Sequence, residues 1–146
     1  MEEKRTYEHN NQMKKNESLY RSLAVSFGLS ECAFWILYVL RSNIAMLTQR
    51  DLCDWLCQPK QSVNTGIKKL LDKGLIELTF GDDRRSKYLI LTGEGKAFCE
   101  KTVDRVIDAE KAAITGLSGE EKELLLHLFG KYTELLDERF SLILEL

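Results

Sequence analysis

The sequence predicts a mainly α-helical fold carrying one small β-hairpin. Three observations support this. Apolar residues recur at i,i+3 and i,i+4 through six separate segments, the spacing that puts them on one helix face. Only two short stretches, LIELTF at 75–80 and KYLILT at 87–92, alternate in the period-two manner of half-buried strands. The single proline, Pro59, leaves every other element free to run without interruption.

Each element follows from its own residues. Residues 1 to about 10 are polar and read as loose chain, and Leu19, Leu23 and Phe27 then repeat at i,i+4 in a helix expected over 13–27. Gly28 terminates it, and Ser30 caps a second helix to about Ser42 that is apolar nearly all round and must be covered on several sides. Thr48 caps a third helix with Asp51 in the capping-box position. Its expected buried face is Leu52, Cys53 and Leu56. Pro59 suits the connector or the first position of a fourth helix from about Lys60 to Asp72, which turns Val63, Ile67, Leu70 and Leu71 inward and stops at Gly74. The two strands follow, with Gly81 and a charged tip between them. Thr92 caps a fifth helix expected as one continuous run to about Thr115. Ser118 and Glu121 repeat the capping box ahead of a long helix to about 142 striped by Leu124, Leu125, Leu128, Tyr132, Leu135 and Leu136.

Composition narrows the function. The 146 residues suffice for one substantial core, and 44% hydrophobic with 30% charged is ordinary for a soluble domain. A net charge of −2 rules out a polycation, so a nucleic-acid surface would have to arise by local segregation of charge. The start of the chain lacks the apolar core of a signal peptide, and the longest apolar run, CAFWILYVL at 32–40, falls far short of the roughly 20 residues of a membrane span. A cytoplasmic protein with no membrane partner is expected. Cys53 and Cys57 are spaced i,i+4, wider than a zinc or redox C-x-x-C, and His9 and His127 lie far from both, so neither metal nor cofactor is expected. There is no Gly-rich phosphate loop and no nucleophile elbow, and two histidines are too few for a metal centre or a triad; an enzyme is not expected.

The order helix–turn–helix then hairpin points to DNA. Two short helices joined by a tight turn let the second enter a major groove about 12 Å wide. The fourth helix has the two faces this requires. Val63, Ile67, Leu70 and Leu71 face inward, while Gln61, Ser62, Asn64, Thr65, Lys68 and Lys69 face out with amides and hydroxyls suited to base edges. From Gln58 to Tyr88, seven cations, Lys60, Lys68, Lys69, Lys73, Arg84, Arg85 and Lys87, oppose four acids, a local +3. The minor groove is narrow and negative, most of all in A·T tracts, and attracts an inserted arginine. In the tip FGDDRRSK, Asp83 sits i,i+2 from Arg85 and could pre-aim its guanidinium, lowering the rotamer entropy lost on binding. Taken alone, lysines on a surface helix and an exposed ion pair are ordinary features; their combination with this element order is not.

These stretches carry a family resemblance. LTQRDLCDWL, SVNTGIKKLLDKGLI and DDRRSKYLILTGEGKAF are similar, in order and spacing, to the LTQ-x-L, TV-x-x-x-[IVL]-x-x-L-x-x-KGLI and D-x-R-(x)n-LT-x-x-G patterns of the MarR (multiple antibiotic resistance regulator) family. The resemblance is strongest over Leu47 to Phe98 and extends by length and flanking helices over the whole chain. It implies a winged helix–turn–helix domain plus a helical dimerisation domain: N-terminal helices at 1–46, the DNA-binding region at 47–92 and C-terminal helices at 93–146. It also implies a homodimer, built from the first helix and the last two, that binds double-stranded DNA and regulates transcription, most simply as a repressor on a pseudo-palindromic operator. By position, Lys60, Gln61, Ser62, Asn64, Thr65 and Lys68 would face bases or phosphates. Arg84, Arg85 and Lys87 would serve the wing, with Asp83 bracing Arg85. Many members have arginine where this chain has Thr65, which predicts a more A·T-rich operator.

Control of binding is less defined by the sequence. Family members respond to small, often phenolic, ligands or to cysteine oxidation. Tyr20, Phe34, Trp35 and Tyr38 are a candidate pocket for a small aromatic ligand, although aromatics at helical spacing are more often plain core. Cys32, in the first turn of the second helix, is the candidate redox thiol, with a packing role the default for all four cysteines. The alternative from another class is a winged-helix adaptor that binds only protein.

Overall fold

The computed structural model describes residues 1–145; Leu146, the last residue of the expected C-terminal segment, lies outside them. The chain forms α1 (Glu2–Ser26), α2 (Glu31–Ser42), α3 (Gln49–Leu56), α4 (Lys60–Asp72), β1 (Ile76–Phe80), β2 (Lys87–Leu91), α5 (Gly93–Lys101), α6 (Val103–Ile114) and α7 (Gly119–Leu144). This is the expected mainly helical fold with one hairpin. By contact it divides into two compact units, Met1–Arg105 and Val106–Leu146.

The core of the first unit is built around α2. Ser30 caps that helix by accepting from the Ala33 N–H, and Ala33, Phe34, Ile36, Leu37 and Val39 are buried. An all-round apolar helix needs partners on every side, and α2 touches α1, α3, α4, α5 and β2. Against it α3 buries Leu52, α4 buries Val63, Ile67 and Leu70, and the hairpin buries Ile76 and Leu89. Cys53, Leu56 and Leu71, expected inside, are only partly covered.

Two elements depart from expectation. The helix α1 starts at Glu2, so residues 1–10 are helical rather than loose. No proline or glycine interrupts them, and the ion pairs Glu2–Arg5 at 3.1 Å and Lys4–Glu8 at 3.9 Å lie at i,i+3 and i,i+4, where they support a helix with no core to lean on. The run after Thr92 is also two helices rather than one. At Thr102 the backbone leaves helical geometry (φ −128°, ψ −82°), and its buried hydroxyl donates to the Phe98 carbonyl at 2.7 Å. A hydroxyl bonding back to the i−4 carbonyl competes with the helix ladder and bends helices.

The antiparallel hairpin pairs Ile76 with Leu91 through Phe80 with Lys87. A single bridge adds Leu47 to the outer edge of β2, the Leu89 N–H donating to the Leu47 carbonyl at 2.8 Å. The start of α3 is thereby tied to the wing. The LT-x-x-G pattern anchors the hairpin at its other end. Thr92 Oγ1 donates to the Gly74 carbonyl at 2.6 Å and accepts from the Gly95 N–H at 2.9 Å. A Cβ on Gly95 would overlap the Leu75 carbonyl, so only glycine permits this approach of α5 to β1.

In the second unit, Ser118 and Glu121 form the expected capping box of α7. No described residue of α7 is buried, although Leu124, Leu125, Leu128, Phe129 and Leu135 run along it.

Candidate nucleic-acid interface

The turn between α3 and α4 is made by Cys57, Gln58 and Pro59. Thr48 and Asp51 form the capping box that starts α3, and Asp51, accepting from the Thr48 N–H and hydroxyl, is held below the usual carboxylate range. The helix ends on Cys57 in the left-handed region (φ 52°), a residue type not normally chosen there. Pro59 then occupies the N-cap position of α4 with extended backbone, one residue before the helix proper. This short reversal leaves α4 lying across α2 on one side and open on the other.

The open side is polar as expected. Lys60, Gln61, Ser62, Thr65, Lys68 and Lys69 are exposed, while Val63, Gly66, Ile67 and Leu70 are buried. Asn64 is only partly exposed and sits at the margin of the polar face. The Thr65 hydroxyl donates to the Gln61 carbonyl at 3.0 Å, so its proton is already committed. The buried glycine in this helix is a feature the sequence reading missed. A Cβ on Gly66 would lie 2.8 Å from Ile36 Cδ1 and 3.2 Å from Cys32 Sγ, so the glycine sets how closely α4 crosses α2.

The wing tip corrects one expectation. Asp83 does not pair with the Arg85 guanidinium within ion-pair distance. Its Oδ1 accepts from the backbone N–H groups of Arg85 at 3.1 Å and Ser86 at 3.2 Å, and its Oδ2 accepts from the Ser86 hydroxyl at 3.2 Å. The acid fixes the backbone of the loop and leaves the arginine side chain unconstrained. An Asx-type bond to nearby N–H groups is available without ordering a long side chain, so it wins over an exposed ion pair. These bonds, that from Ser86 first, lower the Asp83 carboxyl below its ordinary value. Arg84 holds a left-handed backbone (φ 55°), and the Gly81 and Ser86 backbones close the loop at 3.0 Å. Arg84, Arg85 and Lys87 are exposed, as is Asp83 itself. Ser86 is the tip residue the sequence reading overlooked, and only its place three after Asp83 could have signalled it.

The residues singled out for control fare differently. Cys32 is partly buried, with its thiol 3.7 Å from the Ser62 carbonyl, and burial, joined by the nearby Cys53, pushes the thiol up. The opposite shift favours a reactive thiolate, and Cys32 sits at the α2–α4 crossing, beside Gly66. Cys99 is pushed up to about 11, again by burial. Tyr20, Trp35 and Tyr38 do come together, with ring centroids 4.8 Å apart for Tyr20–Trp35 and 5.2 Å for Trp35–Tyr38. Trp55, unforeseen from the sequence, joins Trp35 at 6.2 Å. Phe34, fully buried, belongs to the same group, with its ring centroid 5.1 Å from Trp35, 6.2 Å from Tyr38 and 6.4 Å from Tyr20. The rings meet in tilted and edge-to-face arrangements.

Residues 27–86, from the end of α1 to the wing tip, match the model of the MarR family. The chain is 29% identical over 108 residues to the uncharacterized HTH-type transcriptional regulator YwoH of Bacillus subtilis, covering 74% of this chain and 78% of that protein. Over residues 27–86 the chain is thus similar to the MarR family. Its fold matches NMB1585, a MarR family regulator from Neisseria meningitidis, with TM-score 0.79 at 22% identity over 94% of this chain and 96% of the other. It also matches S. aureus MepR in its DNA complex, with TM-score 0.71 at 22% identity over 90% and 96%. MarR-family proteins are transcriptional regulators and not enzymes. Among the described residues no single helix is long and apolar enough to cross a membrane.

Proposed function

We propose that this chain is a DNA-binding repressor of the MarR type that acts in the cytoplasm as a homodimer, with α4 in the major groove and the wing tip in the flanking minor groove. The observation that carries the reading is the two-faced α4: Gln61, Ser62, Thr65 and Lys68 are exposed together on a helix whose other face is locked into the core. Lys60 and Lys68 neutralise phosphates, Gln61, Ser62, Asn64 and Thr65 meet base edges, and Arg85, flanked by Arg84 and Lys87, enters the minor groove. Asp83 serves by holding the loop that presents Arg85. Because the Thr65 proton is committed to Gln61, what Thr65 offers a base is a methyl group and acceptor lone pairs. A methyl suits thymine, which keeps the expectation of an A·T-rich operator. Helices in segments 1–46 and 93–145 form the dimer, and its twofold symmetry demands pseudo-palindromic half-sites about one helical turn apart. Occupation of such a site within a promoter excludes polymerase.

The test is selection of duplexes from a random pool by the wild type, Arg85→Ala and Gln61→Ala. The wild type is expected to enrich an A·T-rich inverted repeat. Arg85→Ala should weaken all duplexes, and Gln61→Ala should relax preference at one position of each half-site. A log–log salt slope near −0.9 per phosphate contact accompanies true groove binding. If no duplex is retained at low ionic strength, the protein-only adaptor takes the place of this reading.

A further inference from the structure

We infer that the side of the hairpin carrying Leu78 and Phe80, below the tip, seats the sugar edges of one DNA strand. That strand is the one a wing must straddle when α4 lies in one groove and the tip in the next. The inference rests on the DNA-binding reading and adds to it an apolar contact that involves neither charge nor base readout.

Register fixes which residues share this side. In an antiparallel pair, directly opposed residues project the same way, and successive residues project opposite ways. Ile76 pairs with Leu91, Leu78 with Leu89 and Phe80 with Lys87, so these six stand on one side of the hairpin. Near the base that side is core: Ile76 and Leu89 are buried, β1 touches α4, and β2 touches α2 and α3. Toward the tip the same row runs out past the core, with Leu78 47% and Phe80 58% exposed. The other side is closed near the tip by Tyr88. A Cβ on Gly81 would lie 3.0 Å from Tyr88 Cε2, so that ring covers the loop backbone. A single exposed apolar side chain is ordinary, but two in one row, facing the helices, form a strip that needs a cover.

The neighbours of the strip select the cover. Lys87 stands directly across from Phe80, is exposed, and makes no ion pair among the described residues. Arg84 and Arg85 follow Phe80 within five residues and are exposed too. An apolar protein surface laid over Phe80 would strand these charges away from water. A nucleic-acid strand alternates apolar sugar carbons with phosphates, so it covers the ring and pairs the lysine together. The geometry agrees. A strand that separates the groove held by α4 from the groove held by Arg85 runs between those two elements, on the side where Leu78 and Phe80 stand.

Equilibrium binding of the selected duplex by the full chain, over a range of salt concentrations, tests the seat with Phe80→Ser, Phe80→Leu and Arg85→Ala beside the wild type. Phe80→Ser should weaken binding about tenfold at every salt concentration and leave the log–log slope unchanged, because no phosphate contact is lost. Arg85→Ala should instead make the slope shallower by about one. Phe80→Leu keeps an apolar body and should retain most of the affinity. The heat-capacity change of binding should become less negative in Phe80→Ser, since less apolar surface is buried. In a hydroxyl-radical footprint, the sugars between the two grooves held by one subunit should lose protection in Phe80→Ser, while those elsewhere keep it. Because Phe80 is exposed, the urea midpoint of the free protein should hardly move. Unchanged duplex affinity in Phe80→Ser overturns the seat, and so does a loss that comes with a shallower slope, as if the tip itself had moved. A change in sedimentation of the free variant with duplex affinity intact also overturns it, the result expected if a second copy covers this side. A wild type that holds no duplex overturns the DNA reading and the seat with it. A wild type and a Phe80→Ser variant that bind equally remove the seat alone.

Discussion

Asp83 shows how one carboxylate can set the shape of a contact loop without touching what the loop contacts. Its oxygens hold the N–H groups of Arg85 and Ser86 and the Ser86 hydroxyl, and these bonds favour the ionised form. A group whose folded value is depressed contributes its order above the ordinary carboxylate range, about 3.9 for aspartate, and loses it as pH falls through the lowered folded value. The tip should therefore stay ordered throughout neutral and mildly acidic solution. In a ¹⁵N–¹H titration, the Arg85 and Ser86 amide resonances are expected to shift together with a midpoint below that of a free aspartate. Asp83→Ala should remove this shared titration and broaden or move both resonances at neutral pH. A midpoint at or above the ordinary value would mean that the acid is not bracing the backbone. The sequence showed that Asp83 matters to the tip but pointed to the wrong partner, because spacing alone cannot distinguish a guanidinium two residues on from an N–H two residues on.

At the scale of elements, the crossing of α2 and α4 decides how firmly the polar helix face is held. Gly66 lies at that crossing, and alanine there brings two opposed effects. Helix propensity favours alanine over glycine by ~1 kcal/mol. The new methyl, however, would sit 2.8 Å from Ile36 Cδ1, on a side chain that is itself fully buried and has no free space to move into. Overpacking of this kind costs roughly 1–3 kcal/mol, so the clash outweighs the propensity. Gly66→Ala is expected to lower the urea midpoint by an amount equivalent to about 1 kcal/mol net, and to weaken all duplexes alike by pushing α4 away from α2. A rise in stability would show that the crossing is looser than the geometry says. Features of this kind mark the boundary of what the sequence discloses. Capping boxes at Thr48–Asp51 and Ser118–Glu121 were legible because both partners lie within four residues. The two strands were legible from alternation. The contact at Gly66 was hidden because its partners, Cys32 and Ile36, lie thirty or more residues away. The break at Thr102 was hidden because threonine bends a helix only where burial leaves its hydroxyl no partner but Phe98. The first turns of α1 were hidden because a helix stabilised by ion pairs carries no apolar period. The polar face of α4 was legible almost entirely, since a helix with one buried stripe fixes its outer face by geometry alone.

For the whole molecule, the decisive quantity is the apolar surface that one chain leaves uncovered. Along α7, Leu124, Leu125, Leu128, Phe129, Leu135 and Phe140 are each about half exposed; in the other unit, Leu19 and Val25 of α1 are exposed as well. Stable monomers seldom leave this much apolar surface open, and in the homodimer proposed above a second copy would cover the exposed face of α7. In a twofold interface a substitution acts twice, because each subunit contributes it. Leu128→Glu would place two carboxylates in that interface, and an unpaired buried charge costs about 3–5 kcal/mol each. That exceeds the margin by which a dimer of ordinary strength resists dilution, so the variant should sediment as a monomer at micromolar concentration where the wild type sediments as a dimer. Its apparent melting temperature should also cease to rise with protein concentration, since assembly no longer contributes to stability. Duplex binding should fall steeply with it, because a single subunit engages one half-site and loses the gain from linking two. A wild-type chain that sediments as a monomer, or a Leu128→Glu variant that stays dimeric and keeps full affinity for DNA, would place the interface elsewhere and leave the exposed face of α7 to another partner.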